Sequence, residues 1–158
     1  AAATAADGDG AADGKGKESR FRLPTDPVRW AQVVYNSVQV LLCAWMVVAA
    51  ALAAYEQKYS LLCNAFNARS DRMASVEIVF YLSKVLDFFD TFFIIARGSW
   101  AQLSFLHVYH HASIFLTWWV VTVAAYDGDT YCPIIANSAI HCWMYAYYLC
   151  TSFNVRPR

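Results

Sequence analysis

Apolar residues in this chain gather into four long runs, with polar clusters between them. The first run covers about Val33 to Tyr55, the second Ala74 to Ala96, the third Leu103 to Tyr126 and the fourth Pro133 to Phe153. About 20 helical residues cross the hydrocarbon core of a bilayer, and each run reaches that length. The pattern therefore predicts an all-α, polytopic membrane helix bundle with four transmembrane helices. Ahead of the runs, residues 1–20 are mostly Ala, Gly, Asp and Lys without an apolar period. Residues 1–28 are expected to be a disordered polar tail, and 29–158 the membrane domain.

Composition strengthens this picture. The chain is 59% hydrophobic and only 15% charged, more apolar surface than a small soluble domain readily hides. Twelve basic residues balance twelve acidic ones, and no basic face interleaved with aromatics is present, which argues against nucleic acid as a partner and for the lipid bilayer. Lys15, Lys17, Arg20, Arg22, Arg29, Arg97, Arg156 and Arg158 fall on one side of the predicted spans, and Lys58, Arg69 and Arg72 on the other. That bias places the tail, the 97–102 loop and the C-terminus in the cytoplasm. The chain lacks an initiator Met and a signal-peptide pattern, and both ends are expected to be cut ends. Five cysteines form no C-x-x-C pair; Cys63 and Cys132 share the non-cytoplasmic side, where a disulfide between them is open.

Three polar constellations interrupt the apolar runs. In the second span, Lys84, Asp87 and Thr91 are spaced i, i+3, i+7 on one helical face, with Asp90 at its border. Lys and Asp one turn apart neutralise each other, which is an inexpensive way to keep both in a membrane; the carboxylates could also orient a histidine. The third span opens QLSFLHVYHH, placing His107, His110 and His111 within about 100° of one another behind Gln102. Such a cluster suits metal binding, acid–base catalysis or nucleophilic attack. In the fourth span Asn137, His141, Met144, Tyr145 and Tyr148 share a face. Buried tyrosine hydroxyls need hydrogen-bond partners, and His141 is a natural one.

Together these stretches resemble the ELO family of very-long-chain fatty acid elongases. Tyr35-Asn36 corresponds to a YN pair of that family, and KVLDFFDT from Lys84 to Thr91 is similar to its K-x-x-E-x-x-D-T. Gln102 to His111 matches Q-x-x-F-L-H-x-x-H-H, and Asn137 to Tyr148 matches N-x-x-x-H-x-x-M-Y-x-Y-Y. One departure is Asp87, a methylene shorter than the usual Glu. The resemblance implies a seven-helix fold of which this chain holds about four helices, resident in the endoplasmic reticulum membrane. It implies the condensation of a long-chain acyl-CoA with malonyl-CoA to a 3-ketoacyl-CoA, releasing CO2 and CoA, without a cofactor or metal. His107, His110, His111 and His141 would be the catalytic residues, with His110 as nucleophile. Lys84, Asp87, Asp90, Thr91, Gln102, Asn137, Tyr145 and Tyr148 would bind substrate or support them. Implied partners are the ketoreductase, dehydratase and enoyl reductase of the elongation cycle, and a second copy of the chain in a homo-oligomer. The H-x-x-H-H pattern is also similar to that of di-iron membrane desaturases and hydroxylases, which spread more histidines over further boxes. A non-catalytic membrane scaffold is the third alternative.

Overall fold

A computed structural model describes residues 23, 24, 26–65, 71–125 and 127–155. The described residues form five α-helices: α1 (Pro27–Glu56), α2 (Asp71–Leu86), α3 (Phe88–Ala96), α4 (Phe105–Ala124) and α5 (Tyr131–Ser152), with short 3₁₀ turns before α4 and α5. No strand occurs among them. The expected tail lies outside the described residues through position 22. α1 begins at Pro27, because Asp26 caps it by accepting the Arg29 N–H at 2.7 Å and Pro27 supplies a pre-set first turn.

The second expected span is not one helix. It breaks at Asp87 into α2 and α3. The Asp90 N–H turns back to the Asp87 carbonyl, 3.1 Å away and three residues behind it. The Leu86 carbonyl, which a continuous helix would offer to Asp90, instead accepts the Tyr35 hydroxyl of α1 at 3.1 Å. A side chain entering the i→i−4 ladder is a recognised cause of helix breaks, and nothing in the local sequence announces this one.

Three helices end in the same way. Lys58, Gly98 and Asn154 take left-handed φ values of 55°, 63° and 61° after α1, α3 and α5. In each, the next N–H bonds a carbonyl five residues back, as Tyr59 does with Ala54, Ser99 with Ile94 and Val155 with Cys150. At the start of α4, the Ser104 hydroxyl accepts the His107 N–H at 3.1 Å. The cap thus begins the helix at the histidine cluster and fixes its first turn.

α1 pairs most extensively with α5, while α2 packs on both α4 and α1. The core between them holds Cys43, Met46, Ala50, Val76, Phe80, Trp118, Ile134 and Tyr145. Phe80 and Trp118 meet edge to face with centroids 4.5 Å apart, joining α2 to α4. The outer faces stay apolar: Leu41, Val48, Phe105, Leu106, Val123, Ile140 and Trp143 are all exposed. α1 alone among the described helices is long and apolar enough to cross a membrane by both measures.

Where α1 ends and α5 begins, the two connecting loops are tied together. Asp129 accepts the backbone N–H groups of Asn64 (2.8 Å) and Cys63 (2.9 Å) and the Asn64 side-chain amide (2.7 Å). Tyr131 donates to the Ser60 carbonyl, and Tyr59 to Asp127. The Asn64 and Cys63 amides hold the Asp129 carboxyl below the usual carboxylate range. Cys63 and Cys132, both exposed, are free thiols in this arrangement, so the open disulfide is not formed.

Two outcomes follow from this tie. Gly128 has φ +75°, and a Cβ there would lie 3.0 Å from the Asn64 carbonyl oxygen. Gly128→Ala should therefore lower stability by about 1–2 kcal/mol from backbone strain alone, read as thermal unfolding in detergent. Asp129 is depressed in the folded state, so its contribution is present above the ordinary carboxylate pKa of about 4 and is lost as pH falls through its lower folded value. Melting temperatures from pH 7 to 3 should show a shallower acid decline for Asp129→Asn than for the wild type.

Candidate active site

A buried polar knot lies at the break between α2 and α3. Lys84 and Asp87 are each 3% exposed. The Lys84 ammonium has three N–H groups and three partners: Asp87 Oδ2 at 2.8 Å, Asn137 Oδ1 at 3.0 Å, and the Phe80 ring 4.5 Å below it. Because the ammonium can only donate, it fixes the Asn137 amide with its oxygen inward and its NH₂ available to other groups.

The other oxygen of Asp87 faces α1 and α5. Gln39 Nε2 donates to Asp87 Oδ1 at 2.9 Å and to the Tyr35 hydroxyl at 3.0 Å. Tyr145 donates its single proton to Asp90 Oδ2 at 2.7 Å, and its oxygen lies 3.3 Å from Gln39 Nε2, Tyr35 and Asp87 Oδ1. His141 Nδ1 sits 3.9 Å from Asp87 Oδ2 and makes no hydrogen bond. The α5 stripe of Ser138, His141 and Tyr145 is buried, while Tyr148 at its end is exposed.

Beside the knot is a cleft of about 500 Å³. Tyr35 and Asn36 line it from α1, Asp90 from α3, His107 and His111 from α4, and Met144 and Tyr148 from α5. Gln32, Arg97 and Gln102 form its polar rim, where Arg97 donates to Gln32 at 2.8 Å. Thr91 and His107 Nε2 hydrogen-bond at 2.9 Å, tying α3 to α4. The His107 and His111 rings are 4.4 Å apart between centroids, and His111 and His110 5.8 Å.

The twelve residues expected to form a site are thus distributed unevenly. Lys84, Asp87, Asn137, His141 and Tyr145 converge in the knot. Asp90, Gln102, His107, His111 and Tyr148 line the cleft, and Thr91 anchors His107. His110 stands apart: it is exposed on α4 and does not line the cleft. Among the described residues, no three His, Cys, Asp or Glu side chains gather in a way that would hold a metal ion.

Sequence reasoning assigned no site role to Gln39, Tyr35 and Asn36. Gln39 did carry a signal: it is an amide within the apolar run from Val38 to Ala54, one helical turn beyond Tyr35.

The family described as ELO: GNS1/SUR4 matches residues 17–158. The chain is 38% identical over 128 residues to very long chain fatty acid elongase 2 of Rattus norvegicus, covering 79% of this chain and 46% of that protein. It is 35% identical over 121 residues to fatty acid elongase 6 of Leishmania major, covering 75% and 32%. With very long chain fatty acid elongase 5 of Homo sapiens the identity is 36% over 129 residues, covering 79% and 43%. The chain spans less than half the length of these relatives.

Removing one member of a buried ion pair leaves the other charge uncompensated. Lys84→Met should therefore cost about 3–5 kcal/mol of stability, measured by unfolding in detergent. The double variant with Asp87→Leu should cost less than the sum of the two single changes.

Proposed function

The chain belongs to the ELO, or GNS1/SUR4, family, and on that premise we propose that it carries the catalytic part of a fatty acid elongase. The reaction is condensation of a long-chain acyl-CoA with malonyl-CoA, giving a 3-ketoacyl-CoA two carbons longer with release of CO2 and CoA. The observation that carries this reading is convergence. Tyr35-Asn36, Asp90, His107 with His111, and Met144 with Tyr148 come from four helices and line one cleft beside a buried Lys–Asp pair.

The chemistry asks for a nucleophile, a second imidazole and donors for an enolate. No thiol of the described residues lines the cleft, and Cys142 points to the Val40 carbonyl of α1. A neutral imidazole can attack a thioester itself, releasing CoA and leaving an acyl-imidazole, which divides a hard step in two. His110, with its ring accessible on α4, is assigned this role. His141 is the second imidazole, oriented by the Asp87 carboxylate 3.9 Å away. His107, held by Thr91, and His111 shape the site. Loss of CO2 from malonyl-CoA produces an enolate that needs donors aimed at its oxygen. The Asn137 NH₂, turned outward by Lys84, supplies one. Asp90 and Tyr145 fix the wall opposite the histidines, and Gln102 and Tyr148 contact substrate at the cleft. No cofactor enters the reaction.

The charge bias of the loops supports a multi-pass arrangement with the Arg97 rim of the cleft at the cytoplasmic face, in the endoplasmic reticulum. There the ketoreductase, dehydratase and enoyl reductase of the cycle would take the product, and a homo-oligomer is compatible with the exposed apolar faces.

Membranes containing the full-length gene product, supplied with labelled malonyl-CoA and acyl-CoAs but no reductant, should accumulate labelled 3-ketoacyl product. His110→Ala should reduce that product by about 10³-fold or more while the protein still inserts normally. Near-normal turnover of the variant would remove His110 from the nucleophile role.

A further inference from the structure

Gln39 is fully buried in α1, the one described helix long and apolar enough to cross a membrane, and half of its amide is wasted. Its Oε1 has no partner, although it is shielded from water. A buried acceptor left unsatisfied costs about 1–3 kcal/mol, which leucine or methionine at this position would avoid. The N–H groups at the other end are both used, on Asp87 Oδ1 at 2.9 Å and on Tyr35 at 3.0 Å.

We propose that Gln39 is a positioning residue that clamps the Asp87 carboxylate, so that the opposite oxygen is held toward Lys84 and His141. This rests on the elongase reading above. The carboxyl torsion of aspartate is a broad, soft one. Lys84 bonds only Oδ2, and by itself leaves the group free to swing about that contact. The Gln39 bond to Oδ1 removes the swing. The clamp has a fixed base, because Tyr35, which accepts the second Gln39 N–H, is itself anchored on the Leu86 carbonyl at the helix break. The oxygen facing His141 Nδ1 at 3.9 Å is thus placed from α1, across the interface from the ring it orients.

The clamp also accounts for chain length. With Asp at position 87, the Gln39 amide reaches Oδ1 at 2.9 Å, and a further methylene on the carboxylate would leave no room between them. The two side chains together span a fixed gap, so shortening one must be matched by lengthening the other.

A reciprocal length swap tests this in full-length protein in membranes. Gln39→Asn withdraws the amide from Oδ1, and Asp87→Glu drives the carboxylate into it. Each should lower the kcat of condensation about 10–100-fold with KM for acyl-CoA unchanged, the range found for outer-shell partners and ångström misplacements. The double variant should recover to within a few-fold of wild type. Losses that simply multiply in the double variant would overturn the pairing. Gln39→Met keeps length and apolar packing but strips Asp87 Oδ1 of its donor, so kcat should fall about 10–100-fold in assays run well below the variant's own melting transition; unchanged kcat there would also overturn the proposal. Absence of 3-ketoacyl product from the wild type would instead defeat the elongase reading itself.

Discussion

The carboxylate of Asp87 has been taken out of water, and much of the arrangement around it is the means by which its charge is met. One oxygen is neutralised by Lys84 from its own helical face. The other is bonded from α1 by Gln39, with the Tyr145 hydroxyl of α5 beside it. A buried charge with partners from a single helix would leave the remaining helices free to slide. Here Gln39 of α1 meets the carboxylate, Lys84 of α2 neutralises it, and Asn137 of α5 holds that ammonium, so satisfying the pair also sets how those helices register. Such pairs contribute little net stability against an apolar alternative, but breaking them is costly. Their effect is to penalise every packing except one.

The helix break follows from the same requirement. α2 must deliver Lys84 and Asp87 to the interior, while α3 must present Asp90 to Tyr145 and Thr91 to His107. An uninterrupted helix would spend the Leu86 carbonyl on Asp90. Releasing it gives Tyr35 an acceptor, and Tyr35 in turn supports Gln39 and stands against the Tyr145 ring, edge to face at 5.8 Å. One local change in hydrogen bonding therefore fastens α1 to both halves of the second span.

The helical class and the approximate extent of α1, α4 and α5 were legible in the chain because apolar runs are local. The spacing of Asn137, His141 and Tyr145 likewise foretold a shared face, and the structure buries His141 and Tyr145 together. The break at Asp87 was not legible, since its cause is a tyrosine 51 residues away. Gln39 was overlooked for the same reason: a single amide in an apolar run says that something must bond it, without saying what. His110 shows the opposite limit, for its pattern with His107 and His111 is clear, yet spacing alone did not show that it would be exposed and outside the lining of the cleft.

The bonds between α1 and the α2–α3 break set a schedule for synthesis. Gln39 and Asp87 meet across 48 residues of chain and Tyr35 and Leu86 across 51, so at about 5–20 residues per second the ribosome needs roughly 2–10 s to supply the partners. Through that interval Tyr35 and Gln39 lack the bonds they make in the folded chain, and in apolar surroundings unbonded polar groups are expensive. Helix α1 is thus apolar enough by length and composition to cross a membrane, and polar enough that the break between α2 and α3 must follow it.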